Sequence, residues 1–309
     1  MLPSVADDPS QPAATRPRYA WLRLLRLHHW LKNVLLGVPF LTAQAWSQPG
    51  AWRELLLGAL SFSMVASASY IVNDLADIRF DRAHASKRRR PLAAGTVGIP
   101  AALSVAMLLA AGGLGLAWLV GQEFLTVLCG YVLLTTLYTR VLKRIALLDV
   151  LALSGLWTLR LLAGATAIHV ELSVWLLSFG AFLFLSLSLV KRCAELRATT
   201  CPPGTLVPGR GYAPADLPVL EAFGIATGIV SVLVLALFVD SSAAELRYPH
   251  HARLWLTCPP VWFWLGRIWL TTARGDMHED PVVFSLRDPA SWAAFAVVAV
   301  VWAAALWSG

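Results

Sequence analysis

Apolar residues along this chain gather into nine stretches, each about the length of a helix that crosses a bilayer, with the polar residues collected between them. The stretches cover about 28–46, 53–73, 99–120, 123–142, 146–168, 173–192, 218–239, 254–273 and 290–308. About 20 mostly apolar residues suffice to cross the hydrocarbon core, so each predicts one membrane-spanning helix. Gly121-Gln122-Glu123 separates the third from the fourth and predicts a tight hairpin. No clear long repeat is visible, and 21–309 reads as one all-α polytopic membrane domain of nine helices. Residues 1–20 read as a disordered cytoplasmic N-terminal tail. Met1 to Pro17 is polar, rich in Pro and Ala, and lacks the apolar core of a signal peptide.

Composition agrees with that pattern. The hydrophobic fraction is 58%, only 14% of residues are charged, and there are 14 Trp. Mean hydropathy is +0.64. These values exclude an ordinary soluble enzyme of this length. The four cysteines are scattered and support neither a disulfide framework nor a zinc site. The net charge of +7 reflects where the loops lie and does not point to nucleic acid. Lys and Arg crowd the N-terminal flank and the loops after spans two, four, six and eight. The opposite loops hold Arg53, Arg247 and Arg253. By the positive-inside rule the N-terminus and the even-numbered loops are expected in the cytoplasm, with the C-terminus outside.

Candidate chemistry therefore lies on one face. Where the second apolar stretch stops, the chain reads Asn73-Asp74-Leu75-Ala76-Asp77-Ile78-Arg79-Phe80-Asp81, followed by Lys87-Arg88-Arg89-Arg90-Pro91. If the helix continues, Asn73, Asp77 and Asp81 share one face at i, i+4 and i+8, with Asp74 beside them. Crowded carboxylates repel one another unless a cation intervenes, and oxygen-only ligands suit Mg²⁺. The plainer reading is a solvated, charge-rich helix end. Cations close the neighbouring spans: Lys143 and Arg144, with Tyr138, after span four, and Lys191 and Arg192 after span six. Lys32 and Asn33 open span one. Each cation alone could be a topology marker; together with the acids they suit a departing diphosphate. Arg160 lies within span five, three helical turns from Asp149. A charge at that depth marks either a functional interior site or a buried ion pair. The loop Arg274-Gly275-Asp276-Met277-His278-Glu279-Asp280-Pro281 reads equally as a lid or a catalytic segment.

Asn73-Asp74-x-x-Asp77-x-x-x-Asp81 with Lys87-Arg88-Arg89-Arg90-Pro91-Leu92-Ala93-Ala94-Gly95 resembles the first aspartate-rich motif of the UbiA-type membrane prenyltransferase superfamily, and the resemblance runs from about Leu22 to the end. It implies an all-helical bundle around a central cavity, Mg²⁺ as cofactor, and group transfer from a diphosphate. Typical prenyl transferases of the family carry a second aspartate-rich motif. Here that region reads Leu187-Ser188-Leu189-Val190-Lys191-Arg192-Cys193-Ala194-Glu195-Leu196, with cations instead. Other pieces look like the decaprenyl-phosphate phosphoribosyltransferase branch: Arg26-x-x-His29-Trp30-x-Lys32-Asn33, Tyr138-x-x-x-x-Lys143-Arg144, Leu159-Arg160-Leu161-Leu162-Ala163-Gly164-Ala165 and Glu279-Asp280-Pro281-Val282.

That branch moves 5-phosphoribose from phosphoribosyl diphosphate to a polyprenyl phosphate, in a bacterial inner membrane. The resemblance makes Asn73, Asp77 and Asp81 the Mg²⁺ ligands, with Asp74 in support. Lys143, Arg160, Lys191 and Arg192 become candidates for the donor's phosphates and Tyr138 for the sugar or 5-phosphate; Arg144 and Asp149 stand beside them. Lys32 and the run from Lys87 to Arg90 become candidates for the lipid phosphate. The rivals are a prenyl transferase acting on an aromatic acceptor and an ion-coupled transporter, for which paired broken helices would be expected. Assembly into an oligomer stays open.

Overall fold

Most of the apolar stretches become continuous helices, and the exceptions are where glycine and proline break them. The computed structural model describes residues 17–83, 87–277 and 280–307. In chain order the helices are α1 (Pro17–Leu25), α2 (Gly37–Thr42), α3 (Ala51–Ala76), α4 (Ile78–Ala83), α5 (Ile99–Val120) and α6 (Gln122–Arg140). They continue as α7 (Leu148–Ala167), α8 (Val174–Arg197), α9 (Leu217–Val239), α10 (Ser242–Arg247), α11 (Cys258–Ala273), α12 (Pro281–Arg287) and α13 (Pro289–Leu306). Among the described residues there is no strand. The tail expected over 1–20 falls outside the described residues apart from 17–20, which open α1.

Among the described residues seven helices are long and apolar enough to cross a membrane: α3, α5, α6, α7, α8, α9 and α13, with α6 and α9 counted together with adjoining 3-10 turns. The expected first and eighth spans are not continuous α-helices. The first is a 3-10 segment (Leu27–Leu36), then α2, then a 3-10 turn (Ala45–Ser47). Gly37 and Pro39 lie inside it, and proline withdraws one backbone donor and clashes with the preceding turn. The eighth is a 3-10 segment (His251–Thr257) leading into α11, whose first turn takes Pro259 and Pro260. Proline is tolerated there because first-turn N–H groups have no helical partner.

α3 packs along α5 and α8 along α9. Small residues and side-chain hydrogen bonds carry these interfaces, as expected where lipid is as apolar as the helix. Ser61 Oγ donates to the Gly113 carbonyl at 2.7 Å, and Ser186 Oγ to that of Gly224 at 2.7 Å. The main core runs through Phe62, Phe124, Leu128, Trp157, Phe184 and Trp264, while Leu108, Trp118, Leu119 and Val300 face outward. The large apolar surface and the spanning helices identify an integral membrane protein.

Candidate functional site

At one end of the bundle the polar ends of α3, α6, α7 and α8 converge on a cavity of about 340 Å³. Its wall contains Arg26, Lys32, Arg90, Lys143, Arg160, Lys191 and Arg210, against two carboxylates, Asp74 and Asp77. Asn73, Tyr70, Tyr131, Thr135, Tyr138, Thr139 and Trp157 complete the polar and aromatic lining.

The acidic stretch does not run on as one helix. α3 ends at Ala76, and Asp77 leaves the helical region at φ −93° and ψ 3° before α4 begins. Backbone bonds still bridge the break, from Asp77 N to Asn73 O at 3.0 Å and from Asp81 N to Asp77 O at 2.9 Å. Asn73 and Asp77 open onto the cavity, and Asp77 stands 3.8 Å from Lys143 Nζ. Asp81 is not part of the wall. It is buried and accepts from Arg90 Nη1 at 2.7 Å, and the same Nη1 lies 3.2 Å from Asp74 Oδ1. Asp74 also accepts from Arg26 Nη2 at 2.6 Å. Two of the four acidic-stretch side chains are therefore counter-ions to arginines. Placing Asn73, Asp77 and Asp81 on one cavity-facing stripe fails because the helix breaks at Asp77.

Among the described residues no three His, Cys, Asp or Glu side chains gather as a preformed metal cage. The amide oxygen of Asn73 and the carboxylate of Asp77, whose side chain is 35% exposed, share the cavity wall. That donor set fits Mg²⁺, which is usually held by one or two carboxylates and completes its shell with water and substrate phosphate.

Arg160 sits deep in the wall at 3% exposure. Its Nε donates to Asn33 Oδ1 at 3.1 Å and its Nη1 to the Leu156 carbonyl at 2.5 Å, and the guanidinium lies over the rings of Phe62 and Tyr131. The fit of α7 against the 3-10 segment depends on Gly164, where an added Cβ would lie 2.1 Å from the Leu36 carbonyl oxygen. Lys32 Nζ donates to Asp280 at 2.6 Å, with Lys191 Nζ 3.9 Å from the same oxygen. Burial works to raise the Asp280 pKa, but Lys32 and then Lys191 outweigh it and hold the carboxyl below its ordinary range.

Lys32 and Trp157 are also shared with a second, apolar cavity of about 290 Å³, lined by Leu31, Leu35, Leu183, Leu187, Trp264 and Phe295 among others. Polar site and greasy groove thus meet at one lysine.

Three expected site residues lie elsewhere. Arg192 and Asp149 are buried beneath the wall as an ion pair, with Nη2 at 2.7 and 3.0 Å from the two carboxylate oxygens. Glu195 bonds the other end of Arg192. Arg144 is exposed and outside the cavity. The side chains of Lys87 and His29, and Glu279 as a whole, lie outside the described residues. Conversely, Arg210 and Arg26 line the wall although neither is among the site residues expected from the sequence. For Arg26 the signal was present in the Arg26-x-x-His29-Trp30 pattern; for Arg210, 13 residues beyond α8, there was none.

The family model described as "UbiA prenyltransferase family" matches residues 34–197. The Sinorhizobium fredii protein y4nM is 39% identical over 292 residues, covering 93% of this chain and 56% of that protein. The decaprenyl-phosphate phosphoribosyltransferase of Mycolicibacterium smegmatis is 32% identical over 198 residues, covering 62% of each. The chain thus spans less than two thirds of the length of either relative. A UbiA homologue from Archaeoglobus fulgidus, solved bound to GPP and Mg²⁺, superimposes with a TM-score of 0.67 over 92% of this chain and 97% of that one, at 18% identity. At that identity the likeness shows the fold.

Proposed function

The chain belongs to the UbiA prenyltransferase family, and from that premise we propose that it transfers 5-phosphoribose from phosphoribosyl diphosphate to a polyprenyl phosphate, with the cavity facing the cytoplasm. The observation that carries this reading is the charge of the wall, where seven cationic side chains face two carboxylates. Asp74, Asp81, Asp280 and Glu195 pair with several of these cations. They leave separate cationic poles at Lys143, at Lys32 with Lys191, and at Arg210, and a prenyl diphosphate with Mg²⁺ would engage only the one beside Asp77. A donor with a third phosphate and an acceptor with a fourth match them far better. The similarity to a decaprenyl-phosphate phosphoribosyltransferase supports the same donor and acceptor.

In the proposed reaction the bond from ribose C1 to the diphosphate oxygen breaks, and its electron pair leaves with pyrophosphate. A lipid phosphate oxygen forms the new bond to C1. That oxygen is already anionic near neutral pH, so no general base is needed. The work of the protein is to align C1 between the two anions and let them approach. Mg²⁺, when bound by Asn73 and Asp77, would neutralise charge on the departing pyrophosphate. Lys143, beside Asp77, extends that pole. Asp81 as a further ligand requires Arg90 to release it, so Asp74 and Asp81 are assigned to holding Arg26 and Arg90. Lys32, at the junction with the apolar groove, and Lys191, on the same Asp280 oxygen, suit the lipid phosphate, and the groove suits the start of its isoprenoid tail. Arg160 marks the floor of the cavity.

The GPP-bound homologue favours a second reading, a prenyl diphosphate donor. Purified protein offered phosphoribosyl diphosphate and a prenyl diphosphate side by side, with polyprenyl phosphate, an aromatic acceptor and Mg²⁺, should release pyrophosphate with the first. Turnover with the prenyl donor alone would refute the proposal, and transport without pyrophosphate release would refute both. Asp77→Asn should lower Mg²⁺-dependent turnover at least ~100-fold while leaving the unfolding midpoint near that of wild type.

A further inference from the structure

We infer that Arg210 is the residue by which this protein selects a donor carrying a phosphate at the far end of its sugar. The inference rests on the phosphoribosyl reading above and adds a specificity-determining side chain to it.

Arg210 differs from the other cations of the wall in coming from a long loop, 198–213, between α8 and α9. The loop is nonetheless fixed. Gly211 lies so close to the turn after α6 that an added Cβ would come within 2.6 Å of both Arg144 O and Ala146 N. Tyr212, 1% exposed, accepts from the Leu147 N–H at 2.8 Å. Val207 N bonds back to Tyr212 O at 2.8 Å, closing the loop on itself. A backbone clamped on both sides of Arg210 delivers its guanidinium to the cavity already placed, which reduces the entropy cost of using it.

The partners of Arg210 leave it available to a substrate. Nη1 donates to Tyr138 Oη at 3.3 Å and Nη2 to Glu195 at 3.3 Å, with Asp149 at 3.8 Å. The buried charge of Asp149 is already met by Arg192, itself 1% exposed. Arg210 is therefore not required to neutralise it. Glu195 is 40% exposed, so water can replace Arg210 at that carboxylate cheaply.

Location then decides which anion Arg210 meets. Lys143 stands with Asp77, and Lys32 with Lys191 at the mouth of the apolar groove. A metal-held diphosphate and a lipid phosphate engage those two poles. Arg210 with Tyr138 forms a third, on a loop docked against the turn that carries Lys143, where a further phosphate on a donor whose diphosphate lies at Asp77 would meet it. A guanidinium fork bonds phosphate bidentately, whereas a donor ending in hydroxyl or hydrocarbon leaves it unmatched.

The test compares kcat/KM for phosphoribosyl diphosphate with that for ribosyl 1-diphosphate lacking the 5-phosphate, in the full-length protein with Mg²⁺ and polyprenyl phosphate. Wild type should prefer the phosphorylated donor. In Arg210→Ala that preference should fall roughly 10- to 100-fold, the range for losing a hydrogen bond to a charged group. Arg210→Lys, which keeps the charge but not the fork, should fall between the two and serves alone if the alanine variant does not fold. A preference unchanged by either substitution, whatever the absolute rates, overturns the inference, since a merely structural role would slow both donors alike. A wild type that turns over neither ribosyl donor overturns the donor reading itself, and the inference with it.

Discussion

Gly164→Ala probes whether the 3-10 segment before α2 holds the floor of the cavity. The new methyl carbon would lie 2.1, 2.7 and 2.8 Å from the O, C and Cα of Leu36, all backbone atoms that no rotamer change can move aside. Relieving the contact requires α7 and the segment to separate by about 1 Å, an overpacking strain of about 1–3 kcal/mol. Arg160 lies one turn before Gly164 on the same face of α7, and its Nε reaches Asn33 on that segment, at 3.1 Å. Stretching this charged hydrogen bond puts a further ~1.5–3 kcal/mol at risk. Against these costs, alanine gains only about 1 kcal/mol of helix propensity over glycine. The balance is a net loss of about 1.5–5 kcal/mol. A displacement near 1 Å at a positioned charge also predicts turnover lower by roughly 100-fold. Unfolding followed by tryptophan fluorescence in detergent, with Mg²⁺-dependent pyrophosphate release on the same preparation, measures both. Gly155→Ala on the same helix is the control, because its Cβ would meet only the tip of Leu134, at 3.3 Å. Wild-type stability and rate in Gly164→Ala, or equal losses in both variants, would refute the reasoning.

Two further substitutions separate structural from substrate-facing charges. Asp280→Asn keeps an acceptor for the Val282 N–H but removes the carboxylate between Lys32 and Lys191, and should lower stability at pH 7 by about 1–2 kcal/mol. Because the folded pKa of Asp280 is depressed, its contribution is present above the unfolded value near 4 and is lost as pH falls through the folded one. The gap between the variant and wild type should therefore close on acidification, and a gap independent of pH would exclude the ion pairs as its source. Arg192→Met leaves the buried Asp149 with only Arg210, at 3.8 Å, and should destabilise the fold by about 3–5 kcal/mol, while adding Asp149→Asn should restore much of the loss. Wild-type stability in Arg192→Met, with donor binding weakened instead, would return Arg192 to the list of substrate ligands.

The residues that were legible in the sequence are those whose position follows from a helix end. Asn73, Asp77, Tyr138, Lys143 and Lys191 each close a span that hydropathy locates, so the fold had only to bring those ends together. Arg160 stood out because a charge inside an apolar run needs a reason. The departures from the expected geometry have equally local causes. Grouping Asp81 with Asn73 and Asp77 assumed an unbroken helix, and the chain turns at Asp77. The nine-span count reads the first and eighth stretches as continuous α-helices, whereas 3-10 segments precede Gly37 in the first and the Pro259-Pro260 pair in the eighth. Arg192 sits one residue from Lys191 and shares its composition signal, but adjacent helical residues point about 100° apart, so one lines the cavity and the other the interior. Arg210 could not be found by periodicity at all, because its place depends on a loop docking against the turn after α6.

Seven cations in a wall surrounded by lipid-facing helices would repel one another, and burying each unpaired would cost several kcal/mol. The protein meets that cost with its own acceptors. Asp74 and Asp81 hold Arg26 and Arg90, Asp280 holds Lys32, Glu195 and Tyr138 hold Arg210, and Asn33 with two aromatic rings holds Arg160. Part of the acidic stretch is therefore counter-ion to the cations around it, which explains why carboxylates persist beside a membrane even where they touch no metal. Exchange follows from the same arrangement: a phosphate entering near Lys32 competes with Asp280 for a lysine whose charge is already paid for. Binding a polyanion then replaces one set of anions with another and avoids creating fresh buried charge. Discrimination among substrates falls to the cations whose protein partners are most exposed and so most easily released, and by that criterion Arg210, with Glu195 as its partner, stands first.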